Sequence, residues 1–225
     1  MRLKFSNLII SLLLIIFSFS SCSSSFDYDK FDFEEIDGGY KMRESWSIFK
    51  MYDKYEGVLN IPETYNGKPI LEIEYLGDEF GRGITKVVGS NNLEVINAWT
   101  FAGRDGYAMP NLKSVEFPEN GNLKSIETMA FYWCENLHTV IVPKNFEYFG
   151  TGVFDKCVSL TNLVIYNPTP PSCGDMFNYV ENDYWYTTPN SSFTVYVPDN
   201  SVEIYKKSSW GNYAIMPISL FEKGS

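Results

Sequence analysis

The chain has 225 residues, 44% of them apolar, 17% aromatic, and a formal net charge of −10. A surface this acidic repels phosphate backbones, and no basic stripe offsets it, so nucleic acid is excluded as an expected partner. The length suffices for one sizeable hydrophobic core and one folded domain.

The chain opens Met1-Arg2-Leu3-Lys4 and continues through the apolar run Leu8-Ile9-Ile10-Ser11-Leu12-Leu13-Leu14-Ile15-Ile16. A basic head followed by a short apolar stretch is the layout of a cleaved secretory signal, and the run is too short for a permanent membrane span. The run ends Phe19-Ser20-Ser21-Cys22, which resembles the lipobox of bacterial lipoproteins. That resemblance implies lipidation of Cys22 and loss of residues 1–21, the membrane being met through this anchor alone. Several acyl chains on one residue give stable anchoring. Cleavage removes Arg2 and Lys4 and no acid, which takes the charge from −10 to −12. Residues 22–38 mix acids with aromatics without a sustained period and read as an acidic tether. An acidic flank behind the anchor resembles signals that place lipoproteins on the outer face of the outer membrane.

The main signal is a repeat. A Leu/Phe, +3, +5 spacing recurs as Leu93-Ile96-Phe101, Leu123-Ile126-Phe131 and Phe146-Phe149-Phe154. A second half-unit follows each: Asn111-Leu112, Val115 and Phe117-Pro118; Asn136-Leu137, Val140 and Val142-Pro143; Ser159-Leu160, Leu163 and Ile165. Alternation such as Val115 and Phe117 around Glu116 predicts a half-buried strand, ended by Pro118 or Pro143. The first half-units predict a short helical turn or tight bend that plugs an aromatic into the interior. Stacked units would place Phe101, Phe131 and Phe154 in one column and Leu112, Leu137 and Leu160 in another.

These units resemble the BspA-like leucine-rich-repeat family, most closely in Ala130-Phe131-Tyr132-Trp133-Cys134-Glu135-Asn136-Leu137 and next in Val153-Phe154-Asp155-Lys156-Cys157-Val158-Ser159-Leu160. The segment from Val58 to Ile70 resembles the family's entry. Val195-Tyr196-Val197-Pro198 with Tyr205, Trp210 and Pro217-Ile218 resembles its closing segment. The resemblance implies an α/β-repeat solenoid of short parallel strands and short helical turns in a right-handed superhelix over 39–218. Within it, core repeats cover about 91–166, an aromatic loop 167–192 and the closing segment 193–218, with a tail over 219–225. Phe80 breaks the spacing, ten residues after Ile70 rather than eight, and residues 102–109 lengthen one unit.

The chemistry-bearing residues are few. Cys134 and Cys157 stand 23 residues apart at one repeat position, which suits either a disulfide or, as the repeat position favours, two buried thiols; Cys173 has no evident partner. One histidine, His138, cannot build a multi-histidine metal site and lacks a nucleophile motif, so it reads as a strand-edge residue. Carboxylates are scattered. No catalytic residue, metal site or cofactor is expected.

Two surfaces stand out. Tyr184, Trp185 and Tyr186 lie in the loop behind Pro168-Thr169-Pro170-Pro171, either as a contact platform or as a cap over the solenoid's open end. The outward strand positions Glu116, Ile141 and Val164 should line up, with Ser114, Thr139 and Asn162 beside them. The resemblance implies a non-enzymatic surface module that binds or adheres to a protein or glycan of a host or bacterial surface. The alternative is a sugar-capturing accessory lipoprotein beside an outer-membrane transporter.

Overall fold

The computed structural model describes residues 26–45, 55–102, 109–177 and 189–222. Two sheets dominate. One contains β1 (Phe31–Ile36), β2 (Gly39–Glu44), β4 (Thr64–Tyr65), β5 (Lys68–Glu74), β7 (Val95–Ile96), β9 (Ser125–Ile126), β11 (Tyr148–Phe149) and β13 (Ser172–Cys173). The other contains β3 (Glu56–Asn60), β6 (Gly83–Val88), β8 (Ser114–Glu116), β10 (Thr139–Val142), β12 (Asn162–Ile165), β14 (Thr194–Val197) and β15 (Ala214–Pro217). Successive repeats pair parallel in both sheets, so the chain climbs as a β-solenoid.

The core lies between the sheets and is a set of columns. Phe101, Phe131 and Phe154 are fully buried, with ring centroids 4.8 and 5.8 Å apart and planes tilted by 14° and 20°. Leu112, Leu137 and Leu160 form the second column, also fully buried. Each such side chain contributes roughly 1.5 to 3 kcal/mol, but only once a neighbouring repeat covers it.

Among the described residues the bends over 127–138 and 150–161 are tight turns, the second of the two expected forms, and not helical ones. Among the described residues the α-helices are α1 (Asp78–Gly81), in the first bend between β5 and β6, and α2 (Val202–Lys206) and α3 (Ile218–Glu222) at the far end, so the later bends hold none. The reason lies in the backbone. Trp99, Met129 and Gly152 occupy one repeat position and all have φ between +56° and +64°; Trp133 and Lys156 share a second such position, with φ of +66° and +65°. A left-handed residue stops a helix after one turn. The freed N–H groups reach the next repeat instead: Met129 to the Thr151 carbonyl (3.0 Å), Phe131 to Val153 (3.0 Å) and Trp133 to Asp155 (2.9 Å).

The same ladder settles the irregular first unit. The N–H of Leu76 donates to the Thr100 carbonyl, as that of Phe101 does to Ala130, so Leu76 and not Phe80 holds the column position. Phe80 packs on Phe31 instead (5.3 Å). At the other end, the Phe154 N–H bonds to the Met176 carbonyl and Phe177 extends the column, 6.1 Å from Phe154.

Both ends are covered. The described part of the expected tether is folded: Tyr28–Lys30 form a 3-10 turn, and β1 and β2 make an antiparallel hairpin joined to β5. Asp37-Gly38 forms the two-residue turn, with Gly38 at φ +82°. Phe31 is buried beneath Phe26 and Phe80, and Phe33 stacks on Tyr65 at 3.8 Å, so these aromatics have an apolar end to cover. At the far end Phe193 and Tyr213 pack on Phe177. Trp210 packs on Phe149 and its indole N–H donates to the Pro171 carbonyl (2.8 Å). Tyr205 donates to the Asn167 carbonyl (2.8 Å), which fastens the proline-rich lead-in to the cap.

Candidate functional site

The seven-stranded sheet turns one set of side chains inward and the alternate set outward. Leu59, Val87, Val115, Val140, Leu163, Val195 and Ile215 are in register and buried. Two outward rows flank them. One runs Val58, Lys86, Ser114, Thr139, Asn162, Thr194, Ala214; the other runs Asn60, Val88, Glu116, Ile141, Val164, Tyr196, Met216. The expected alignment of Glu116, Ile141 and Val164 is therefore present.

Their exposure differs from expectation at one position. Glu116 and Ile141 are partly exposed, but Val164 is fully buried. It lies between the longer side chains of Ile141 and Tyr196, and the Tyr196 ring lies 5.1 Å from Phe221 of α3. Val164 supports the face rather than forming part of it. Glu116 pairs with Lys86 at 2.7 Å, both about a third exposed, so the middle of the face is locally neutral. Around that pair the second row is apolar, with Met216 exposed.

A second cluster lies at the corner made by the repeat bends. Trp99 and Trp133 are 42% and 37% exposed, whereas Trp210 is fully buried. Tyr132 sits between them, its ring centroid 5.7 Å from Trp99 and 5.5 Å from Trp133, edge to face in both cases. The Trp133 indole N–H donates to the Glu135 carboxylate (2.8 Å). Asp155, the repeat equivalent of Tyr132, is 5% exposed, and its Oδ1 is buried without a hydrogen-bond partner. Burial and then the Asp155 charge push the Tyr132 phenol up. Sequence reading gave these three aromatics no role. The two tryptophans occupy different positions of the repeat, so no column in the sequence announces them.

The remaining candidates are structural. Cys134 and Cys157 are buried free thiols. Each donates to the carbonyl of the phenylalanine one repeat earlier: Cys134 to Phe101 (3.6 Å) and Cys157 to Phe131 (3.0 Å). Burial pushes the Cys134 thiol up to about 12 and that of Cys157 upward as well. Cys173 is half-buried beside the Ser209 hydroxyl at 3.8 Å. His138 is exposed, its Nδ1 2.5 Å from the Asn136 carbonyl. Among the described residues no group of three or more His, Cys, Asp or Glu could hold a metal ion. No helix among them is long and apolar enough to cross a membrane. Cys22, Tyr184, Trp185 and Tyr186 lie outside the described residues.

The family model described as the BspA type leucine-rich-repeat region matches residues 80–208 in six copies, more than half of the chain. The chain belongs to this family. In BspA-type terms, the +3, +5 spacing is what sets one short strand of the first sheet and its bend, and the following Leu-x-x-Val pattern sets the strand of the second. A solved leucine-rich-repeat protein of T. pallidum is similar in structure, with a TM-score of 0.51 at 16% identity, covering 76% of this chain and 71% of that one. The pneumococcal vaccine antigen PcpA gives a TM-score of 0.48 at 20% identity, covering 82% of this chain and 47% of that one. No curated protein matches the sequence. The T. pallidum likeness is one of fold, and repeat scaffolds carry function on their surfaces.

Proposed function

We propose that this BspA-type chain is a lipid-anchored cell-surface binding module, non-enzymatic, that recognises a protein or glycan on a host or bacterial surface. The observation that carries the reading is the outward face of the seven-stranded sheet. Its two in-register rows offer mixed apolar and uncharged side chains around one neutral ion pair, Lys86–Glu116. Such a face suits a protein or glycan better than a charged polymer. Glu116 and Ile141 are its central contacts, and Val164 holds the strand spacing beneath them. Tyr184, Trp185 and Tyr186 are a second proposed contact, and Cys22 the proposed anchor at the outer-membrane surface.

The test pairs binding with anchoring. Full-length chain is titrated on immobilised fibronectin, fibrinogen and collagen and on neutral polysaccharides, alongside Glu116→Lys/Ile141→Lys. Saturable binding to at least one of them, lost in the double variant with an unchanged melting curve, supports the reading. Binding that the variant leaves intact removes the sheet face from it. In cells, Cys22→Ser should move the protein from the membrane fraction to the soluble one.

The second reading, a sugar-capturing lipoprotein beside a transporter, is favoured by one observation, the exposed Trp99–Tyr132–Trp133 cluster. Saturable binding of short soluble oligosaccharides with no retention on matrix proteins selects it.

A further inference from the structure

The bends of a solenoid ordinarily point small or polar residues at solvent, because their left-handed backbone positions suit glycine. Gly152 follows that rule at φ +64°. Trp99, at the same repeat position, does not, and neither does Trp133 at the second left-handed position; both carry an indole at φ +63° and +66°. A bulky residue there costs about 1 to 2 kcal/mol relative to the right-handed conformation. Neither indole recovers that cost by full burial, since each keeps more than a third of its surface in solvent. The bend imposes this φ, since Met129 and Lys156 share it, so what sets the two indoles apart is their exposure.

The polar side of the corner is incomplete in a definite way. Asp155 is nearly buried and leaves Oδ1 without a donor, although a buried carboxylate oxygen ordinarily has one. Its own peptide oxygen is taken by the Trp133 N–H (2.9 Å), and its carboxylate is near enough to Tyr132 for its charge to act on the phenol. Glu135 lies on the other flank and fixes the Trp133 indole. The corner therefore offers aromatic rings strung over two successive spacings of 5.7 and 5.5 Å, with carboxylate acceptors beside them.

From the exposed Trp99–Tyr132–Trp133 rings and the orphaned Asp155 Oδ1 beside them, we infer that this corner is a glycan-binding site for neutral pyranose chains. The C–H face of a pyranose packs on an aromatic ring, and its hydroxyls supply the donor that Asp155 Oδ1 lacks. Each ring spacing is comparable to the length of one sugar unit. The carboxylates, on a chain of net charge −10, repel uronates, sulfates and phosphates, which restricts the ligand to neutral sugars. A cationic group would meet the same rings and acid, and the choline arm of the test below separates it from a sugar. The site is separate from the sheet face, and the inference rests on the second reading above, to which it adds the ligand class.

The test is calorimetric titration of the purified full-length chain with cellohexaose, mannohexaose and maltohexaose, with polygalacturonate and choline chloride as the acidic and cationic probes. Saturable binding of at least one neutral hexasaccharide is expected, weakened about tenfold or more by Trp99→Ala and by Trp133→Ala. Trp133→Gly should lose binding equally while keeping or raising the melting temperature, because it relieves the left-handed strain. Asp155→Asn should weaken binding without lowering that temperature, whereas a purely structural aspartate would lower it. Ile204→Ala, exposed on α2 and outside both proposed contact surfaces, should leave hexasaccharide affinity unchanged. Three results overturn the inference: no neutral hexasaccharide binds, choline binds in place of the sugars, or sugar binding survives Trp99→Ala/Trp133→Ala. If binding survives that pair but is lost in Trp185→Ala, a glycan site exists elsewhere and the corner is not it.

Discussion

Phe131 stands in the middle of the buried column, between Phe101 at 4.8 Å and Phe154 at 5.8 Å, with none of its surface exposed. Its carbonyl also accepts the Cys157 thiol at 3.0 Å. Phe131→Ala removes a ring that two repeats share and leaves a cavity that rigid sheets on both sides cannot close. Phe→Ala substitutions in such cores cost about 3 to 5 kcal/mol, and two near-parallel ring contacts place this one near 4. With a urea dependence of about 2 kcal/mol per molar, the unfolding midpoint should fall by about 2 M. Circular dichroism during urea titration gives that midpoint. Hydrogen exchange gives the spatial pattern: the Phe101 and Phe154 amides, bonded to Ala130 and Met176, should lose protection together. A loss below about 1 kcal/mol, or lost protection confined to the Phe131 repeat, would refute the shared-column account.

Three further predictions follow from the same contacts. Gly152→Ala, at φ +64°, should cost about 1 kcal/mol in the same titration, because alanine resists the left-handed bend. Phe31→Ala should destabilise by about 3 kcal/mol, since the hairpin caps the solenoid; an unchanged midpoint would restore the segment to a tether. The thiols of Cys134 and Cys157 should resist iodoacetamide at pH 8 until urea opens the fold. Their folded values are raised, so the neutral form is what the fold favours. The Cys134 contribution is complete below the unfolded value near 9 and is lost as pH rises toward about 12, and Cys134→Ala should flatten that decline.

Much of the core was legible because each column residue recurs at a fixed spacing. Phe101, Phe131 and Phe154 could be stacked from the sequence alone, and so could the register of Ser114, Thr139 and Asn162. The first sheet was not legible, because strands of two residues such as Val95–Ile96 are too short to show a period. The entry hairpin was hidden by acids alternating with aromatics, which resembles a solvated linker; Asp37-Gly38 was the hairpin signal within it. Phe177 was missed because the prolines of its unit disguise the leading half. The Trp99–Tyr132–Trp133 corner was missed for a different reason: it joins two non-equivalent repeat positions, and only the pitch of the solenoid brings them together. Val164 shows the opposite limit, since alternation gives the side a residue faces but not the height of its neighbours.

The account rests on this solenoid being displayed to the exterior, and protease treatment of intact cells that carry the chain tests that most directly. Proteinase K added to whole cells should remove the protein while a periplasmic marker survives. Full protection until the outer membrane is broken would contradict display, and with it any role in binding large external partners.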